Sequence, residues 1–160
     1  MTLTKKIVIL GHFGVGKTSL IRKFVTDEFS TDYKVTIGVH VMKKEVMIDN
    51  IDISLLLWDL EGTDSTETIN SAYLKGSSGL IYVYDVTRPS TYKNLDSEIL
   101  FLKENYNIDC VKVVANKSDL LDETSYQELN QSSSKPDFFT SARTGDNVEL
   151  LFTSIAKDLF

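Results

Sequence analysis

The chain has 160 residues, 17 Lys and Arg against 23 Asp and Glu, a net charge of −6, and 42% hydrophobic residues. That is enough chain and apolar content for one domain with one core, which excludes wholesale disorder. The acidic balance argues against nucleic acid as main partner, no apolar run nears the roughly 18–20 residues of a membrane span, and a lone cysteine, Cys110, excludes an internal disulfide.

Apolar runs alternate with helix-like segments, the pattern of strands and crossover helices in a doubly wound α/β sheet. In chain order the reading predicts a strand over Lys5–Leu10, a helix over Lys17–Thr26, and strands over Val39–Ile48 and Ile51–Trp58. Asp49-Asn50 joins the last two at hairpin spacing, so one antiparallel pair is expected. There follow a helix over Ser65–Leu74, a strand over Gly79–Val86, a helix over Thr91–Asn105 and a strand over Cys110–Ala115. A helix over Asp122–Gln131, a strand over Asp137–Thr140 and a helix over Gly145–Leu159 complete the chain. The expectation is one domain over residues 1–160, with a mostly parallel six-stranded sheet, one antiparallel edge hairpin and about five flanking helices.

Gly11-His12-Phe13-Gly14-Val15-Gly16-Lys17-Thr18 matches G-x-x-x-x-G-K-[ST] between a predicted strand and a predicted helix. The glycines let successive amides turn inward to cradle phosphate oxygens, and the helix N-terminus adds its dipole. Lys17 then reaches the β- and γ-phosphates, and the Thr18 hydroxyl ligates Mg²⁺. Asn116-Lys117-Ser118-Asp119 follows the fifth strand, at the sheet edge where open α/β folds bind ligands. A carboxylate there can accept from N1–H and the 2-amino group of guanine. Adenine offers neither, and the unpaired carboxylate would discriminate strongly. Lys117 can lay its stem over the purine while its head stays solvated.

With these two motifs the chain resembles the Ras superfamily of small GTPases, nearest the Rab and Rap branches, over about Lys5 to Phe160. The similarity also rests on Tyr33-Lys34-Val35-Thr36-Ile37-Gly38, Trp58-Asp59-Leu60-Glu61-Gly62 and Thr140-Ser141-Ala142-Arg143-Thr144-Gly145. The resemblance implies a P-loop NTPase fold that binds GTP and GDP with Mg²⁺ and presents two switch segments, about 30–40 and 59–74. It implies that His12, Phe13, Val15 and Ser19 belong to the nucleotide contacts with the phosphate-loop glycines, and that Tyr33 joins them from switch I. It makes Thr36 a Mg²⁺ ligand that also contacts the γ-phosphate, Asp59 the aspartate holding Mg²⁺ through water, and Gly62 the glycine whose amide bonds the γ-phosphate. Ser141, Ala142 and Arg143 correspond to the loop that recognises guanine O6, and Phe29 to an aromatic packed edge-on against the base.

Two departures bear on catalysis. Thr63 stands where most of the family carries glutamine, and is too short to align the attacking water. Phe13 stands where many relatives have glycine, and its ring obstructs an arginine supplied by a partner. Slow hydrolysis is expected, with activation by a partner-supplied amide or by a partner that repositions switch II. Glu61 replaces the family's usual alanine and reads as a solvated side chain. Asp85, ending a strand, reads as a group that satisfies backbone donors.

The reading is therefore a slow GTPase switch, expected to be cytoplasmic, monomeric and without its own lipid anchor, acting through effector, activating and exchange proteins. A rival is a GTP-binding interaction module with negligible hydrolysis. A kinase sharing the phosphate loop needs a basic lid, which Arg22, Arg88 and Arg143 do not form, and leaves Asn116–Asp119 unexplained.

Overall fold

The computed structural model describes residues 2–32, 35–132 and 135–160. β1 (Leu3–Gly11) runs through the phosphate loop into α1 (Lys17–Thr26), followed by β2 (Val39–Ile48) and β3 (Ile51–Leu60). Then come α2 (Ser71–Leu74), β4 (Gly79–Asp85), α3 (Leu95–Tyr106), β5 (Val111–Asn116), α4 (Glu123–Asn130), β6 (Phe138–Phe139) and α5 (Val148–Asp158). Among the described residues the six strands form one sheet in the order β2-β3-β1-β4-β5-β6. Only β2 and β3 pair antiparallel, with Ile48 opposite Ile51. Asp49 and Asn50 both take positive φ, 50° and 67°, as a two-residue hairpin turn requires.

Side chains alternate along each strand, so the sheet is apolar on both faces. Ile7, Ile9, Ile81 and Val83 pack under α1 and α5, where Phe24 and Phe152 stack with ring centroids 4.3 Å apart. Val8, Leu10, Leu80 and Tyr82 face the other way, toward α2 and α3. Burying such a side chain contributes about 2–3 kcal/mol, which fixes the sheet and hence the loops at its C-terminal edge. Gly11, Asp85 and Asn116 end three adjacent strands, and Asp59 lies one residue from the end of β3.

The expected elements are present, and several boundaries are corrected. The single helix read over Ser65–Leu74 is a 3₁₀ turn, Thr66–Thr68, followed by α2. Ser65 accepts from the Glu67 amide and Asn70 from the Ala72 amide, so two local caps start two short elements where one helix was expected. The helix read from Thr91 begins at Leu95. Pro89–Thr91 is a separate 3₁₀ turn, held to β4 because the Thr91 hydroxyl accepts from the Asp85 amide at 3.0 Å and donates to Arg88 O at 2.8 Å. The last helix begins three residues late, after the left-handed Gly145 and Asn147. Asp122 caps α4 by accepting from the Ser125 amide at 2.7 Å. Among the described residues no helix is long and apolar enough to cross a membrane.

Candidate functional site

The phosphate loop is oriented by side chains reaching its carbonyls. Phe13 O accepts from Arg88 at 2.8 Å, Gly14 O from Lys117 at 2.9 Å and Val15 O from Asn116 Nδ2 at 2.9 Å. In planar trans peptides the following amides, of Gly14, Val15 and Gly16, point the opposite way, so three N–H donors share one concave side. Gly16 closes the loop at φ 102°, and a Cβ there would come 2.3 Å from Asn116 Nδ2. Only glycine fits that approach. Lys17 is buried at the head of α1, its Nζ donating to His12 O at 2.8 Å and Gly11 O at 3.3 Å. Burial pulls this ammonium down to about 8, against the raising effect of Asp59. A phosphate beside it would favour the charged form.

Beside the loop the oxygens of three side chains converge. Thr18 Oγ1 lies 2.9 Å from Thr36 Oγ1 and donates to Asp59 Oδ2 at 2.5 Å, with Thr36 Oγ1 3.4 Å from the same oxygen. The other Asp59 oxygen, Oδ1, is buried with no hydrogen-bond partner among the described residues. Burial pushes this carboxyl up, against hydrogen bonds from Thr18 and Thr36 and the charge of Lys17. Two hydroxyls and a carboxylate with an unpaired buried oxygen fit Mg²⁺, which takes hard oxygen ligands and completes its shell with phosphates and water.

At the base end Asn116 is a brace. Its amide donates to Val15 O, and its Oδ1 accepts from the buried Thr140 hydroxyl at 3.0 Å. Asp119 Oδ1 accepts from Ser141 Oγ at 2.8 Å, which fixes the plane of the carboxylate. Ala142 is buried beside it, and Arg143 comes within 4.0 Å of Asp119 Oδ2. Phe29, half-exposed, lines the same cavity. The expectation of a solvated Lys117 head is corrected: Nζ donates to Gly14 O and, at 2.7 Å, to Asp85 Oδ2. Lys117 therefore joins the base end to the phosphate loop.

The sequence accounts for Asp85 only as a satisfier of backbone groups. It does accept from the Thr87 amide at 2.8 Å, yet it is also fully buried and gathers Lys117 and, at 3.9 Å, Arg88. Burial pushes its carboxyl up, and the bonds from Lys117 and Thr87 outweigh that, leaving it below the usual carboxylate range. Arg88 belongs to no motif, and Thr140 opens the Thr140–Gly145 segment without a role assigned to its own side chain. A strand-ending acid two residues before a threonine and three before an arginine was the available signal.

In switch II, the Thr63 amide donates to Gly11 O at 3.1 Å. Its hydroxyl turns into its own segment, 2.9 Å from Ser65 O and 2.6 Å from Thr68 Oγ1. Gly62 is wedged against the loop: a Cβ would come 2.3 Å from Phe13 Cα and 2.4 Å from Phe13 N. The His12 ring turns to Asp64, 3.4 Å away, rather than to the phosphate side. Glu61, expected to be merely solvated, links the two switches: its amide donates to Gly38 O at 2.9 Å, and its carboxylate accepts from Gly38 N at 3.3 Å. Tyr33 lies outside the described residues.

The two ends share one cavity of about 350 Å³, lined by Gly16, Lys17 and Thr18 at one end and Asn116, Asp119 and Ala142 at the other. Phe13 also lines it and is 48% exposed. The family model described as Ras family matches residues 6–160. Ras-related protein Rab-11A of Dictyostelium discoideum is 38% identical over 162 aligned residues, covering 97% of this chain and 75% of its own length. Ras-related protein Rab7 of Drosophila melanogaster is 37% identical, covering 96% and 79%. Ras-related protein RABE1e of Arabidopsis thaliana is 34% identical, covering 96% and 74%.

Proposed function

The chain belongs to the Ras family, as a Rab-like small GTPase, and from that premise we propose that it binds GTP and GDP with Mg²⁺ across this cavity, hydrolyses GTP slowly and signals through residues 30–40 and 59–74. One observation carries the reading: Gly14, Gly16 and Lys17 of the phosphate loop and Asp119 line the same cavity. Asp119 accepts from the guanine edge, the Ala142 loop lies beside O6, Phe29 packs against the base, and Lys17 neutralises the terminal phosphates.

Thr18, Thr36 and Asp59 would hold Mg²⁺, which when bound supplies positive charge to the β- and γ-phosphate oxygens. The chain's own share of catalysis is positioning and charge: Lys17 and the loop amides stabilise the developing negative charge. Thr63 does not align the attacking water, because its hydroxyl is spent on Ser65 and Thr68. The Phe13 ring stands in the cavity where a partner's cationic side chain would enter. Activation therefore comes from a partner that supplies an amide or moves switch II.

With GTP bound, the γ-phosphate tethers Thr36 and the Gly62 amide, and its loss releases both segments. Ile37, 85% exposed, with Val35 and Val41, forms an apolar surface whose shape then depends on the nucleotide. Effector, activating and exchange proteins are expected here.

A second reading, a GTP-binding module with negligible hydrolysis, is favoured by the same engaged hydroxyl of Thr63. Single-turnover hydrolysis of GTP preloaded on the purified chain with Mg²⁺ decides between them. Conversion faster than that of GTP in buffer supports the enzyme, and an indistinguishable rate supports the module. Failure to retain either nucleotide overturns both.

A further inference from the structure

The segment that bears Thr63 is held by a residue outside the motifs. Glu98, half-buried on α3, accepts from the Thr66 amide at 2.8 Å and, with the same oxygen, from the Thr66 hydroxyl. Thr66 is only 3% exposed, so both of its donors are shielded from water and have their partner in this one carboxylate. Two bonds to a charged acceptor are among the stronger local restraints available. They act on the middle of a switch that is also fixed, three residues earlier, by the Thr63 amide on Gly11 O. Between those anchors the chain forms the turn that takes up the Thr63 hydroxyl, and the His12–Asp64 contact lies on the same stretch.

We propose that Glu98 is a positioning residue for the hydrolytic reaction: by clasping Thr66 it holds switch II in a pose that keeps position 63 turned away from the attacking water. This rests on the proposed GTPase reading and goes beyond it. Slow turnover then has two causes, a side chain too short and a backbone held in place. Correcting the side chain alone gains little.

A double-mutant cycle of Thr63→Gln and Glu98→Ala, read by single-turnover GTP hydrolysis and by amide hydrogen exchange over residues 63–70, tests this. Glu98→Ala is expected to speed exchange of the 64–69 amides about tenfold or more. Thr63→Gln alone is expected to raise hydrolysis by no more than about threefold and Glu98→Ala alone by no more than about twofold, while the double variant exceeds Thr63→Gln by about tenfold, a coupling that independent sites would not show. Glu98→Gln, which keeps an oxygen for the Thr66 amide, should remain nearer the parent in exchange. If Glu98→Ala does not fold, Thr66→Val, which removes the hydroxyl donor and keeps the shape, replaces it in the cycle.

Unchanged exchange on breaking the clasp, a gain from Thr63→Gln alone as large as that of the double variant, or additive effects of the two substitutions overturn the proposal. If no variant binds GTP, the GTPase reading fails. Exchange then decides the clasp alone: faster exchange in Glu98→Ala preserves the restraint, and unchanged exchange removes it.

Discussion

The base half and the switch half of the cavity are built differently. At the base half each functional side chain is fixed by a neighbour on or beside a strand end: Asn116 by Val15 O and Thr140, Asp119 by Ser141, and Lys117 by Gly14 O and the fully buried Asp85. At the switch half Thr18, Thr36 and Asp59 bond to one another; Thr36 sits on the segment between α1 and β2, and Gly62 and Thr63 on the one between β3 and α2. The residues proposed to read the base are thus braced at the sheet edge, whereas Thr36, Gly62 and Thr63, proposed to serve catalysis and signalling, lie on the connecting segments. Such a division suits a switch, since what must read the base in both states has no need to move.

The contrast can be broken by substitution. Changes at the base half should weaken GTP and GDP alike, whereas changes at the switch half should weaken GTP more. The largest effect is expected for Asp119→Ala, which removes the acceptor for the guanine edge: about a hundredfold or more loss of affinity for both nucleotides, roughly 3 kcal/mol, measured by calorimetry. Next, Asp85→Asn should lower unfolding stability by about 2 kcal/mol in chemical denaturation, because Lys117 loses its buried counter-charge while keeping partial access to water. Nucleotide release should quicken, since Lys117 and Arg88 both brace the phosphate loop.

Gly62→Ala should leave GDP affinity within about twofold and weaken GTP by about tenfold, since the added methyl drives into the Phe13 backbone at the γ-phosphate end. An equal loss for both nucleotides would erase the distinction between the halves. The smallest effect is pH dependence. The Asp85 carboxyl sits below the usual carboxylate range in the folded chain, so its contribution is present above the ordinary unfolded value near 4. It is lost as pH falls through the depressed folded value. The melting temperature of Asp85→Asn should therefore fall less steeply than the parent's below about pH 4.

Much of the fold was legible because strand alternation and the Asp49-Asn50 turn are local signals that burial reinforces. The boundaries that moved did so for reasons a pattern does not contain. Ser65 and Asn70 each cap their own short element, and Thr91 turns its hydroxyl onto β4 rather than starting a helix. In the site, the motif residues were legible, but the bonds that orient them were not. The pairing of Lys117 with Asp85, of Arg88 with Phe13 O and of Glu98 with Thr66 spans 32, 75 and 32 residues. Such partners become neighbours only when the sheet edge assembles.

The central claim is that one ligand spans both halves, its phosphates in the loop amides and its purine on Asp119. Calorimetric titration of the purified, nucleotide-stripped chain with GTP and with ATP in the presence of Mg²⁺ tests it most directly. GTP is expected to bind at least about a thousandfold more tightly than ATP, because adenine leaves the Asp119 carboxylate unpaired. Equal affinities, or no binding of either, would contradict it.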